Sequence, residues 1–200
     1  MTADAQTIPR RRSDGPTRLS FPQERMFLLD QIMPGLGAYN VPTLIKVRAV
    51  LDAEKLRQAF GLIVARHEIL RTKIRLLDGL PVQEVLDPEP FDLRVADLRS
   101  LPESEREAEA NRLLGELAGR PFNLAGDVLL RAALVHMGSD DRLLVVFHHQ
   151  GSDHASASLL FAELDRGYRA LCDGREPQPR RIKRADSAPL GDHARHSRRT

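Results

Sequence analysis

Apolar and polar positions along the chain fall into runs that alternate between two periods, and each run predicts an element. Helical period holds over residues 23–31 until Pro34 and Gly35 break it. Ile45, Val47 and Ala49 then alternate with Lys46 and Arg48, which predicts a strand with one buried face. Asp52 stands where an N-cap is needed for a helix carrying Leu56, Ala59, Phe60, Ile63, Val64 and His67 on one side. Residues 72–77 and 82–86 flank Asp78-Gly79, a pair suited to a tight hairpin turn. A short strand around Leu93 and Val95 precedes a helix over 102–118, whose Glu and Arg pairs read as an exposed face. A second hairpin joins 130–137 to 142–147 through Gly138-Ser139-Asp140-Asp141. The last helical pattern, 156–171, carries Leu159, Leu160, Leu164, Tyr168 and Leu171. No internal repeat and no low-complexity core interrupts this alternation.

Chemistry concentrates where the last predicted strand ends, in Phe147-His148-His149-Gln150-Gly151-Ser152-Asp153-His154. A neutral imidazole titrates near neutrality and can take a proton from an attacking amine or hydroxyl, and a nearby carboxylate can fix its geometry. The segment lies on a strand–loop–helix junction, where backbone N–H groups of the following helix also point outward. The plain structural alternative is that His148 and His149 are only the polar end of a strand.

Two further segments complete an ordered set. Leu19-Ser20-Phe21-Pro22-Gln23-Glu24-Arg25-Met26-Phe27-Leu28-Leu29 has the form Ser-x-x-Gln-x-Arg followed by apolar and aromatic residues, and Arg66-His67-Glu68-Ile69-Leu70-Arg71-Thr72 follows it. Arg120-Pro121-Phe122-Asn123-Leu124 and Leu130-Arg131-Ala132-Ala133-Leu134 lead up to the histidines. In this order the segments resemble the core motifs of the condensation domains of nonribosomal peptide synthetases, over about 19–177. The resemblance implies an α/β two-layer sandwich with a mixed β-sheet, the chloramphenicol-acetyltransferase-like N-terminal lobe. It implies amide-bond formation between carrier-protein-bound thioesters, with His149 orienting or deprotonating the acceptor amine, His148 supporting it, and Asp153 in a structural ion pair with an arginine such as Arg71 or one in the second lobe. Arg66, Arg71 and His154 are supporting candidates, although both arginines also read as ties between a helix end and the sheet. By the same resemblance the partners are peptidyl or acyl carrier proteins that bring substrates on a phosphopantetheine arm, with no tightly bound cofactor.

The chain departs from the family in two places. His154 stands where the family motif has glycine, and Ala155 where an aromatic often follows. If the backbone at His154 is left-handed, a β-carbon there costs about 1 kcal/mol or more. Family members have two lobes, and this chain reads as the first alone, with the second expected from a separate chain. Residues 189–199 are at best a weak echo of a fourth motif. These departures motivate the competing expectation, a truncated non-catalytic remnant or interaction module that keeps the fold.

Composition and charge narrow the picture further. With 200 residues, 42% hydrophobic and 29% charged, the chain can build one ordinary core of about 150–160 residues. The expected organisation is a disordered basic tail over 1–18, the lobe over 19–177 and a second basic tail over 178–200. The net charge of +2 conceals basic ends, since Arg10, Arg11, Arg12 and Arg18 precede the lobe. Without interleaved aromatics such tails read as solvated ends rather than nucleic-acid contacts. No apolar run approaches the roughly 18 residues of a membrane helix, so a cytoplasmic location without membrane contact is expected. The single cysteine, Cys172, reads as a structural thiol. His149, Asp153 and His154 include donors that some metals accept, but adjacent Asp153 and His154 usually point apart, and no metal is expected. Glycerolipid and plant-type acyl-CoA acyltransferases share the His–Asp spacing, yet their other signatures are not found.

Overall fold

A computed structural model describes residues 16–33, 35, 37–151 and 154–177. Residues 178–200, with the weak fourth motif, lie outside them, as does most of the basic tail expected over 1–18. The end of that segment belongs to the fold: Thr17 and Arg18 form β1 (Thr17–Arg18), paired with Gln83 and Val82.

The centre is a four-stranded mixed sheet in the order β2 (Asn40–Val47), β7 (Asp141–His148), β6 (Leu130–His136), β5 (Leu93–Asp97), with β5 and β6 parallel and the other pairs antiparallel. The middles of β6 (132–135) and β7 (143–147) are apolar runs because both faces of each are covered, and alternate residues go to opposite cores. Leu130, Ala132, Leu134, Leu143, Val145 and Phe147 pack on α2 (Ala53–Arg66) and α4 (His154–Cys172), whereas Ala133, Val135, Leu144 and Val146 pack on α3 (Glu103–Gly119). The mixed sheet is as expected, but α3 adds a third layer to the two-layer sandwich. The exposed Glu–Arg face had hidden an apolar stripe of Ala110, Leu114 and Leu117.

Local sequence explains most element ends. The Asp52 side chain accepts the N–H groups of Glu54 and Lys55 at 3.0 and 3.1 Å and so caps α2. Asp78 and Gly79 take φ of +52° and +76°, the backbone that a two-residue turn between β3 (Thr72–Leu77) and β4 (Leu80–Val85) demands. At the β6–β7 turn, buried Asp141 accepts Leu51 N–H at 2.6 Å and pairs with His136 Nδ1 at 3.0 Å. The strand expected to include Ala49 ends at Val47, the last residue of β2 paired with β7, and Ala49 is exposed.

β3 and β4 join β1 in a separate three-stranded sheet. It meets the centre through the segment before β6, where Ile74 N–H donates to Leu124 O at 2.9 Å and Leu129 N–H to Leu70 O at 2.8 Å. α1 (Phe21–Ile32) rests on that junction through Phe27, which packs against Ile74, Leu124 and Leu129. The α1 residues Phe21, Leu28 and Ile32 stay exposed.

Candidate active site

All eight residues of β7 are buried, and the strand leaves the core in a single step: His148 is buried and His149 exposed. The step follows from the pairing. The register with β2 ends at Asn40 opposite His148, and the next N–H, that of His149, donates to Tyr39 O at 2.9 Å. Tyr39 closes a 3-10 turn, Gly37–Tyr39, seated against the end of α3 so closely that a β-carbon on Gly37 would lie 2.8 Å from Gly119 O. Asn40 Nδ2 donates to Ala118 O at 2.7 Å and to Arg120 O at 2.9 Å, which satisfies carbonyls that α3 leaves open at its C-terminus.

His148 is held on every side. Its backbone N–H donates to Leu129 O at 3.1 Å, its carbonyl accepts Gly151 N–H at 2.9 Å, and its Nδ1 accepts Gln150 N–H at 3.2 Å. Acceptance at Nδ1 places the proton of the neutral ring on Nε2. Phe122 meets the ring edge-on at a centroid distance of 5.6 Å, and Tyr39 lies at 6.0 Å. Burial first, then the neighbouring His149 and Arg131, push the His148 imidazole down to about 4. It is neutral at physiological pH and, held by these bonds, serves as a fixed post. Gln150 Oε1 is buried without a hydrogen-bond partner.

The structure brings His148 and His149 together and treats the other candidates differently. Asp153 lies outside the described residues, so its expected ion pair, and the metal trio that included it, lie outside them too. Among the described residues no group of three or more His, Cys, Asp or Glu could hold a metal ion. His154 opens α4 in right-handed helical backbone, where a β-carbon carries no penalty; the left-handed strain considered for this position does not arise. Arg66 Nε lies 4.0 Å from Glu163 of α4, and His67 Nε2 contacts the same carboxylate at 2.8 Å. Arg71 donates to Leu86 O and reaches Ala65 O at 3.4 Å, while Arg71 O accepts Leu86 N–H at 3.1 Å. Those bonds fasten the end of α2 to α4 and to the outer sheet. Cys172 is exposed at the end of α4.

Tyr39, Asn40 and Asp127 frame the site and carried no motif. Their roles come from strand pairing and from a loop folding back, which no period in the sequence marks. Asp127 accepts Asn123 N–H at 3.0 Å and holds the loop 123–127 that follows Phe122.

The condensation-domain family profile matches residues 14–188. Phosphinothricin tripeptide synthetase PhsC of Streptomyces viridochromogenes is 42% identical over 159 residues, which are 78% of this chain and 15% of that protein. Isonitrile lipopeptide synthase of Mycobacterium tuberculosis is 35% identical over 162 residues, 80% of this chain and 6% of that one. Among solved structures, the starter condensation domain of rhizomide synthetase RzmA superposes with a TM-score of 0.76 at 22% identity, over 82% of this chain and 40% of that one. The first condensation domain of the CDA synthetase gives 0.73 at 25% identity, over 82% and 42%. The chain thus spans a small part of its curated relatives and about two fifths of a solved condensation domain, and within that span it belongs to the condensation-domain family.

Proposed function

We propose that this chain supplies the histidine-bearing lobe of an amide-forming condensation between carrier-bound thioesters in nonribosomal peptide biosynthesis. One observation carries the reading: His149 is exposed at the rim of a buried strand while its backbone is pinned to Tyr39 and its neighbour His148 is locked neutral. An imidazole so placed can orient an acceptor amine and take its proton as nitrogen attacks the thioester carbon and the thiol leaves. A thioester is already activated, so positioning with modest proton transfer, typically worth about 10²–10⁴-fold, suffices.

A variant of the rhizomide synthetase starter condensation domain is known in complex with C8-CoA and Leu-SNAC. We carry that substrate class, a thioester donor and an amino-acid thioester acceptor, to this chain. Peptidyl or acyl carrier proteins would present both on phosphopantetheine arms, in the cytoplasm, and a second lobe would close the reaction space. Asp153 serves as a structural charge in this reading, and Arg66 and Arg71 as anchors of the surrounding elements.

A non-catalytic fold is the second reading, favoured by the side chain that His154 brings to the motif's glycine position even though its backbone is unstrained. One experiment separates the two. The chain is combined with a condensation C-terminal lobe and loaded donor and acceptor carrier proteins, and amide product is measured by mass spectrometry. Product that His149→Ala lowers by about 10²-fold or more, with the fold unchanged by circular dichroism, supports condensation. The same output from wild type and variant overturns it in favour of the second reading.

A further inference from the structure

Arg131 lies on β6 opposite Val146, two residues before His148 on the neighbouring strand, and nothing in the reaction as proposed employs it. Its side chain is only 11% exposed, and its hydrogen bonds all run to the segment between α3 and β6. Nη1 donates to Arg120 O at 2.5 Å, and Nη2 donates to Pro121 O at 2.6 Å and reaches Asp127 Oδ2 at 3.4 Å. The guanidinium carbon sits 3.6 Å from the centroid of the Phe122 ring. Phe122 in turn is the aromatic that meets His148 edge-on.

These contacts close a circuit. Arg120 O accepts from two donors, Arg131 Nη1 and Asn40 Nδ2. Asn40 faces His148 across the strand pair, and the carbonyl of the preceding Tyr39 takes the His149 N–H. A planar guanidinium can bond two carbonyls and cover a ring at once; an ammonium is a point charge that cannot. The C-terminus of α3 also presents the negative end of its dipole, which favours a cation there.

We infer that Arg131 is a positioning residue for the histidine pair: by clamping the end of α3 and stacking on Phe122 it fixes the His148 ring, and through His148 and Asn40 the rim on which His149 stands. The inference rests on the reading of His149 as the working imidazole, but its test requires no turnover.

The test compares Arg131→Lys with Arg106→Lys in the full chain. Arg106 is the control, since it too ties backbone carbonyls together, those of Leu101, Arg99 and Met137, at the opposite end of the sheet. Imidazole ¹⁵N shifts report the His148 tautomer, and amide hydrogen exchange reports the His149 N–H bond to Tyr39. Arg131→Lys is expected to mix the His148 tautomers and speed His149 exchange about tenfold or more, whereas Arg106→Lys leaves both near wild type. Wild-type tautomer and exchange in Arg131→Lys would overturn the inference, and so would equal disturbance by Arg106→Lys, which would mark a general loss of stability. Should Arg131→Lys fail to fold, Phe122→Leu tests the same path: an unchanged His148 tautomer there overturns it. Absence of condensation product in every variant, wild type included, would count against the proposed function and leave these spectroscopic readouts intact.

Discussion

His148 and His149 are adjacent in sequence and physically opposite. Burial first, with His149 and Arg131 close by, holds the His148 imidazole down to about 4, against an ordinary value of 6.5, while His149 is exposed at the rim. The depressed value has a consequence for stability. Between pH 6.5 and about 4 the unfolded chain binds a proton at residue 148 that the folded chain refuses, so stability is full above 6.5 and falls as pH drops through that window. Allowing for solvent screening, the loss is on the order of 2 kcal/mol. Urea unfolding at about pH 7 and about pH 4.5 should show it, and His148→Phe should flatten the difference; an equal pH slope in the variant would refute the assignment. Gly37 offers a second test at this scale, because its missing β-carbon lets the 3-10 turn sit against Gly119 at the end of α3. Gly37→Ala should destabilise by about 1–3 kcal/mol through overpacking, and faster His149 amide exchange should accompany it.

Among the elements, α2 and α4 pair on one face of the central sheet. They share one apolar core, with Leu56, Phe60 and Ile63 from α2 and Leu160 and Leu164 from α4. Polar contacts close both ends of the pair: Asp52 N–H donates to Tyr168 Oη at 2.9 Å, and Arg66 and His67 reach Glu163. Removing the cap by Asp52→Ala should cost about 1 kcal/mol, read as a lower urea midpoint at constant slope; no change would mean that water replaces it. Phe60 stacks on Phe91 at 4.8 Å, so Phe60→Ala should cost about 3–5 kcal/mol. The Asp52 cap and the Asp78-Gly79 turn were legible in the sequence because each works within a few residues. β1 was not, since Thr17 and Arg18 become a strand only because β4 offers an edge.

Across the whole molecule, apolar surface is distributed unevenly. Both faces of the central sheet are covered, but among the described residues β2 has no partner on its outer edge, where Val41 and Leu44 are 39% and 46% exposed. Phe21 and Ile32 of α1, at 88% and 73%, add to the uncovered surface. An open strand edge with apolar side chains invites pairing with another strand. The isolated chain should therefore self-associate in sedimentation experiments at micromolar concentration, and Leu44→Lys should shift it toward monomer. Association unchanged by that substitution would place the contact elsewhere. No helix among the described residues is long and apolar enough to cross a membrane.

What the sequence determined by itself was most of the elements, β1 aside, and the motif that ends β7, because helical and strand periods, caps and tight turns are written in neighbouring residues. Its ordered motifs also sufficed to identify the family, now established by the match over 14–188. Only the tertiary structure decided that the sheet is covered on both faces, that His148 is locked neutral while His149 faces outward, and that Arg131, Phe122, Asn40 and Tyr39 hold them so. Those properties depend on strands and loops brought together from distant positions. Burial, tautomer and pKa are set by what surrounds a side chain in space, and no local period encodes that.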